Sequence, residues 1–231
     1  DPIQQLIFAK HLLAASVMSA PAAVVAAKIL FPEKETYEEK LEITRNEIGS
    51  NALEAISQGT TDGLRLAINV GTMLLVFIAL MSMCNYILFK IGDWTSVNAW
   101  ISENTRYPVL SFNMILGYIG APIAWLMGVC REDMFLVGQL LGEKTVLNEF
   151  VAYVSLGEMK TAGDFVEQKS IIIATYILCG FANFASIGIQ IGGIGALAPK
   201  RRADLSKLGI LALIGGTLAS LFTAVIVGMI L

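Results

Sequence analysis

The residues able to do chemistry are few and concentrated between Lys144 and Ala198. One carboxylate, Glu149, lies in KTVLNEFVAY among Val146, Leu147, Phe150 and Val151, and the later apolar run GFANFASIGIQIGG holds one small amide, Asn183, and one hydroxyl, Ser186. A carboxylate accepts hydroxyl hydrogen bonds, an amide both donates and accepts, and charge-assisted bonds in a partly dehydrated cavity are about twice as strong as neutral ones. An ionisable group at membrane depth is costly unless it faces a partner, a cavity or a ligand. The alternative is a Glu at a water-exposed helix end. Against it, Asn148 and Glu149 follow Thr145-Val146-Leu147 as an N-cap follows a turn, and the flanking apolar segments are too short to span singly. The stretch Phe181 to Ser186 interrupts a longer apolar run, with Gly180 before it and Gly188, Gly192, Gly193 and Gly195 after it. A broken helix beside a half-length hairpin is how secondary transporters build a midplane substrate site.

Composition sets the class that must position these residues. The 231 residues are 55% hydrophobic and only 15% charged, with a mean hydropathy of +0.68; soluble domains are about 25% charged. We therefore expect an all-α integral membrane protein, a transmembrane helix bundle with one re-entrant hairpin, one broken helix and one interfacial amphipathic helix. The net charge of -3 offers no basic patch for nucleic acid. Cys84, Cys130 and Cys179 are odd in number, lie far apart in apolar runs and lack CxxC spacing, so they read as packing residues rather than disulfides or metal ligands. No signal peptide is visible, and the start at Asp1-Pro2 without Met is that expected of a fragment or a processed product.

The first span is expected over 6–31, about 39 Å of helix and more than a bilayer core of about 30 Å requires. Pro21 should bend it, and Ser16, Ser19, Ala20, Ala22 and Ala23 give it a small-residue packing surface. The single histidine, His11, reads as a packed or hydrogen-bonded side chain. From Pro32 to Asp62 the chain turns polar, with Ile43, Ile48, Ala52, Leu53 and Ile56 at helical spacing, which predicts the interfacial helix over about 43–58. The Gly59-Thr60-Thr61-Asp62-Gly63 cluster should end it before a second span over 64–91, followed by Trp94, Trp100 and Tyr107 as an interfacial aromatic group. Gly117, Gly120 and Pro122 break the propensity of 109–129, which reads as a bent or interfacial helix. Two short arms over about 131–157 form the re-entrant hairpin, and Lys144, one turn before its tip, reads as a carboxylate partner or a solvated arm end. Such a hairpin is tolerated only when buried in protein or lining an aqueous cavity, so its tip should touch ligand. The broken span 170–198 and a last span 208–231 flank PKRRADLSK, whose Lys200, Arg201, Arg202 and Lys207 place that loop in the cytoplasm.

KTVLNEFVAY and GFANFASIGIQIGG, together with SVMSAPAAVVAAK, DGLRLAINVGTMLLVFIAL and ILGYIGAPIAWLMGV, resemble the concentrative nucleoside transporters in order and spacing through nearly the whole chain. The resemblance implies a homotrimeric, cation-coupled importer of nucleosides such as uridine, working by an elevator-like movement in a plasma membrane or bacterial inner membrane. It covers only the carboxy-terminal half of that family. The first hairpin and first broken helix, with the sodium site and the base-contacting part of the substrate site, have no counterpart here, so no metal site is expected in this chain and no cofactor beyond the coupling ion. Residue by residue, Glu149 matches the second-hairpin carboxylate that bonds the ribose hydroxyls, Asn183 and Ser186 match the broken-helix residues that bind the sugar, and Phe181 matches an apolar wall of the site. Sodium and proton users share these motifs, and QIGGIGALAPKRR is closer to the sodium users. A membrane enzyme would need a nucleophile, base or metal set, which one remote His without HExxH or GxSxG does not supply. A purely structural subunit would have no need of Glu149, Asn183 and Ser186 at helix breaks.

Overall fold

The structure is a computed structural model describing residues 2–32, 51–105, 107–197 and 199–231. In chain order its helices are α1 (Pro2–Leu30), α2 (Ala52–Trp94), α3 (Val97–Asn104), α4 (Phe112–Leu126), α5 (Met134–Val146), α6 (Glu149–Ala162), α7 (Gln168–Leu178), α8 (Phe184–Leu197) and α9 (Arg202–Ile230). There is no strand among the described residues. Among the described residues, two stretches of helix, Leu6–Leu30 and Arg202–Ile230, are long and apolar enough to cross a membrane. Their apolar side chains point outward as well as inward; Leu13 and Val17 on α1 are each 68% exposed. Contiguous exposed apolar surface of this kind marks a face that meets lipid or another protein segment.

The core surrounds α7. Ile173, Ala174, Tyr176, Ile177 and Leu178 are buried there against Val137 and Leu140 of α5, Ala152 and Leu156 of α6, Ala224 of α9 and Ala15 of α1. Polar bonds tie the same layer together. Tyr153 of α6 donates to the Thr175 carbonyl at 2.9 Å, and Nδ1 of His11 lies 3.3 Å from the Tyr176 hydroxyl. Cys84, Cys130 and Cys179 are all free thiols.

Three expectations change. The cluster at Gly59 to Gly63 does not end a helix: α2 is continuous from its Asn51 cap to Trp94, and the Thr60 and Thr61 hydroxyls bond back to the carbonyls of Ile56 and Ser57. These back-bonds occupy the polar side chains without opening the backbone ladder, and each glycine lowers helix propensity by only about 1 kcal/mol, small against a 43-residue helix. The first half of the expected interfacial helix at 43–58 lies on 43–50, outside the described residues, and its second half is the Asn51 cap and the first turns of α2. Gly117 and Gly120 do not break α4 either. They sit where α4 and α5 touch, and a Cβ on Gly120 would collide with the backbone of Gly138. Missing side chains there allow close backbone approach, the usual reason for small residues between membrane helices. Tyr107, expected at an interface with Trp94 and Trp100, is instead buried, its hydroxyl 3.5 Å from the Phe135 carbonyl under the α4–α5 contact, while the two Trp are exposed.

The entry to α5 is fixed by Asp133. Its two oxygens accept the backbone N–H groups of Val166 and Glu167 at 2.9 and 3.0 Å, which ties the start of α5 to the residues just before α7. Burial by itself raises this carboxyl's pKa, but the bonds from Val166, Ser170 and Glu167 outweigh it and hold the pKa below the usual value. A depressed folded pKa means that the stabilisation is fully present above the unfolded value, about 3.9, and is lost as pH falls from there through the lower folded value. Asp133→Asn should therefore lower thermal stability at pH 7 by about 2 kcal/mol, the scale of a bond to a charged group. Unfolding curves of the two proteins should converge below about pH 4. A constant difference down to the lowest pH would show that the charge is not what stabilises this junction.

Candidate functional site

Two helix N-termini are built next to each other by local capping. Asn148 caps α6, its side-chain oxygen accepting the Val151 N–H at 2.9 Å, and Glu149 is the first residue of that helix. Asn183 precedes α8 and forms a reciprocal box with Ser186: its Oδ1 accepts the Ser186 N–H at 2.7 Å, while Ser186 Oγ donates to the Asn183 carbonyl at 2.6 Å and accepts from the Asn183 N–H at 3.3 Å. Capping of this kind satisfies donors that the first turn leaves free. Because the cap consumes Oδ1, the Asn183 amide is oriented with Nδ2 outward.

That nitrogen donates to Glu149 Oε2 at 3.0 Å, across 34 residues of sequence. Asn183 and Ser186 are buried and Glu149 is half-buried. The carboxylate thus lies between the positive ends of two half-helices, each favouring a negative charge or an anionic or hydroxylated ligand. Between α7 and α8 the chain runs irregularly through Gly180, at φ 143°, a conformation for which glycine is suited. The sequence-derived set is therefore gathered in part. Glu149, Asn183 and Ser186 meet. Phe181 is 75% exposed and lines, with Ser186, Gln190 and Ser220, a cavity of about 280 Å³ between α1, the α7–α8 connection and α9. Glu149 does not line that cavity. A larger apolar groove of about 450 Å³ between α1 and α9 lies away from all four.

The sequence reading misplaced Lys144. It is neither solvated nor bound to a carboxylate: it is fully buried, and its ammonium donates to the Ile177 carbonyl at 2.7 Å and to Ser220 Oγ at 2.8 Å. Ser220, on α9, was not singled out; a serine amid apolar residues carries no signal until its partner is known. Glu143 is also buried, one oxygen accepting from Gln139 Nε2 at 2.8 Å.

Short helices whose N-termini meet around a buried polar cluster, beside long apolar helices, fit the architecture of a membrane transporter. The comparisons specify the kind. Residues 11–228 match the family model described as Na+ dependent nucleoside transporter C-terminus. Solute carrier family 28 member 3 of Mus musculus is 41% identical over 95% of this chain, and Sodium/nucleoside cotransporter 1 of the same species is 37% identical over 96%. An uncharacterized transporter of Bacillus subtilis, YutK, is 41% identical over 95%. This chain spans 32%, 35% and 52% of those three relatives respectively. The solved structure of CNTnw in an inward-facing substrate-bound state superposes with a TM-score of 0.79 at 36% identity, over 95% of this chain and 50% of that one. The chain belongs to the Na+ dependent nucleoside transporter family, as the carboxy-terminal part of a concentrative nucleoside transporter.

Proposed function

We propose that this chain supplies one half of the substrate site of a multi-pass sodium–nucleoside symporter that imports nucleosides by elevator-like alternating access. The observation that carries the reading is the Glu149–Asn183 hydrogen bond between the N-termini of α6 and α8. In this reading α5 and α6 are the arms of a re-entrant hairpin and α7 and α8 the halves of a broken membrane helix. Glu149 accepts hydrogen bonds from the ribose hydroxyls, Asn183 and Ser186 complete the sugar site, and Phe181 forms an apolar wall reached by the ligand from the cavity side. The sodium ion is a co-substrate, bound mainly by the amino-terminal part of the transporter, and the whole assembles as a homotrimer in the cell membrane. Its support is the family membership together with a polar cluster that has no evident use in a protein that only fills space.

Sugar recognition makes a specific demand on the ligand, because a site built to bond a hydroxyl rejects an analogue that lacks it. Asn183→Ala and Ser186→Ala, made in the full-length transporter and assayed in vesicles with an inward sodium gradient, should weaken ribonucleosides by about 1–2 kcal/mol more than their 2'- or 3'-deoxy analogues. Equal losses across the analogues would assign both residues to holding the turn before α8. No dependence of uptake on sodium would remove the ion from the reading.

A further inference from the structure

Helix α7 is held at both ends by α5. Asp133, at the start of α5, takes the N–H groups of Val166 and Glu167 before the first turn of α7, and Lys144, eleven residues on, reaches the other end. The two helices therefore run parallel, with an acid at the positive end of α7 and an ammonium at its negative end, the arrangement that complements a helix dipole. The Lys144 contact is the unusual one. Lys144 is the largest fully buried side chain among the described residues, and burying an ammonium is costly unless its surroundings solvate it.

Its surroundings do so at one place. Ile177 is the penultimate residue of α7, and its carbonyl is among the last four, which lack an intrahelical partner. The second acceptor, Ser220 Oγ, donates in turn to carbonyls of its own helix, Gly216 and Thr217 at 3.1 Å. A Cβ built on Gly180 would lie 4.0 Å from the Lys144 nitrogen and 3.9 Å from Ser220 Oγ, so the charge sits directly beneath the break. In discontinuous membrane helices, the C-terminal ends of half-helices and unwound carbonyls commonly coordinate a sodium ion or a proton.

We propose that the Lys144 ammonium is a tethered cation that replaces a bound ion at the end of α7, and that it is a positioning residue for the Glu149–Asn183 pair. Because the charge is covalently fixed, the break stays ordered throughout the transport cycle, whether or not the transported ion is present. Lys144 acts through the break: it fixes Ile177 and, across Cys179 to Ala182, the turn that aims Asn183 at Glu149. The ammonium also ties α5 to α9 through Ser220.

The test uses the full-length transporter with Cys179 as its sole cysteine, in a background shown to transport. Cys179 caps α7 and is half-buried, its sulfur 3.9 Å from the Leu12 carbonyl, and it also feels the Lys144 charge, so its labelling by a membrane-permeant maleimide is compared at the high-pH plateau of each variant, where the rate reads the order of the break. Lys144→Met keeps the volume and removes the charge. It should speed Cys179 labelling and lower uptake by about tenfold or more, the size expected from leaving buried acceptors unpaired. Lys144→Ala should behave alike, but added methylammonium should slow its labelling again and restore part of its uptake. The uptake arm rests on the function proposed above; the labelling arm does not, so labelling still tests the role of Lys144 if the transport reading fails. Unchanged labelling in Lys144→Met, or no methylammonium effect on Lys144→Ala labelling, overturns the proposal. If Lys144→Met fails to assemble, Ser220→Ala decides: it removes one acceptor of the ammonium and should speed Cys179 labelling about threefold, whereas wild-type labelling would overturn the idea.

Discussion

Glu149→Gln in the full-length transporter should be expressed and assembled normally yet lose most nucleoside uptake. The change is nearly isosteric, so packing is preserved, but it alters both hydrogen bonds and charge. Asn183 can present only Nδ2 to residue 149, since its Oδ1 is taken by the Ser186 N–H. A glutamine must therefore turn its own oxygen toward Asn183, which leaves an NH₂ where the carboxylate offered a second acceptor to the ligand. The negative charge between the N-termini of α6 and α8 is lost as well. One charge-assisted bond is worth about 1.5–3 kcal/mol, so ligand affinity should fall roughly ten- to a hundredfold. Calorimetric titration of uridine and sodium-driven uptake in vesicles would measure it. Normal uptake with unchanged affinity would remove Glu149 from the site.

The other large effect is expected far from any ligand-bonding group. Gly138→Ala should destabilise the protein severely, because a Cβ at that position would stand 2.5 Å from the Ala121 nitrogen, 2.6 Å from the Gly117 carbonyl oxygen and 2.7 Å from the Gly120 carbonyl carbon. All three are backbone atoms of α4, and no side-chain rotation relieves the contact. The helices must separate, at a cost of about 1–3 kcal/mol or more, and the displacement runs along α5 toward the hairpin tip that carries Glu149. Gly157→Ala on α6 is the matched control. Nothing lies within 4 Å of its added Cβ, and alanine is the better helix former by about 1 kcal/mol. Detergent-solubilised thermal stability should fall steeply for the first variant and hold or rise for the second. Equal stability of the two would mean that α4 and α5 do not pack through these glycines.

Much of the site was legible in the chain because its signals are local. Asn148 three residues before Val151, and Asn183 three before Ser186, have cap spacing that needs only neighbouring backbone to be satisfied. A Glu in an apolar run has few unremarkable explanations, since an ionised carboxylate away from water must be compensated by something. The membrane class followed from composition, and the helical class from apolar runs long enough to cross a bilayer as helices, such as 6–31 and 208–231.

What the sequence could not decide was everything set by contacts between distant segments. Lys144 read as a carboxylate partner or a solvated arm end because carboxylates and water are the common company of a lysine; that its partners are a carbonyl 33 residues on and a serine 76 residues on is a fact of how α5, α7 and α9 pack. Gly117 and Gly120 read only as residues that lower helix propensity in a bent or interfacial helix, because propensity counts each residue alone, whereas the packed structure uses them as a surface where two backbones touch. The cluster at 59–63 misled for the same reason: turn-forming types were counted, but whether the helix continues depends on whether their hydroxyls can be satisfied within it, as they are at Ile56 and Ser57. Local hydrogen bonding and the cost of burying charge are written in residue types and short spacings. The partner of a buried group, and the space beside a glycine, exist only once the helices have been brought together.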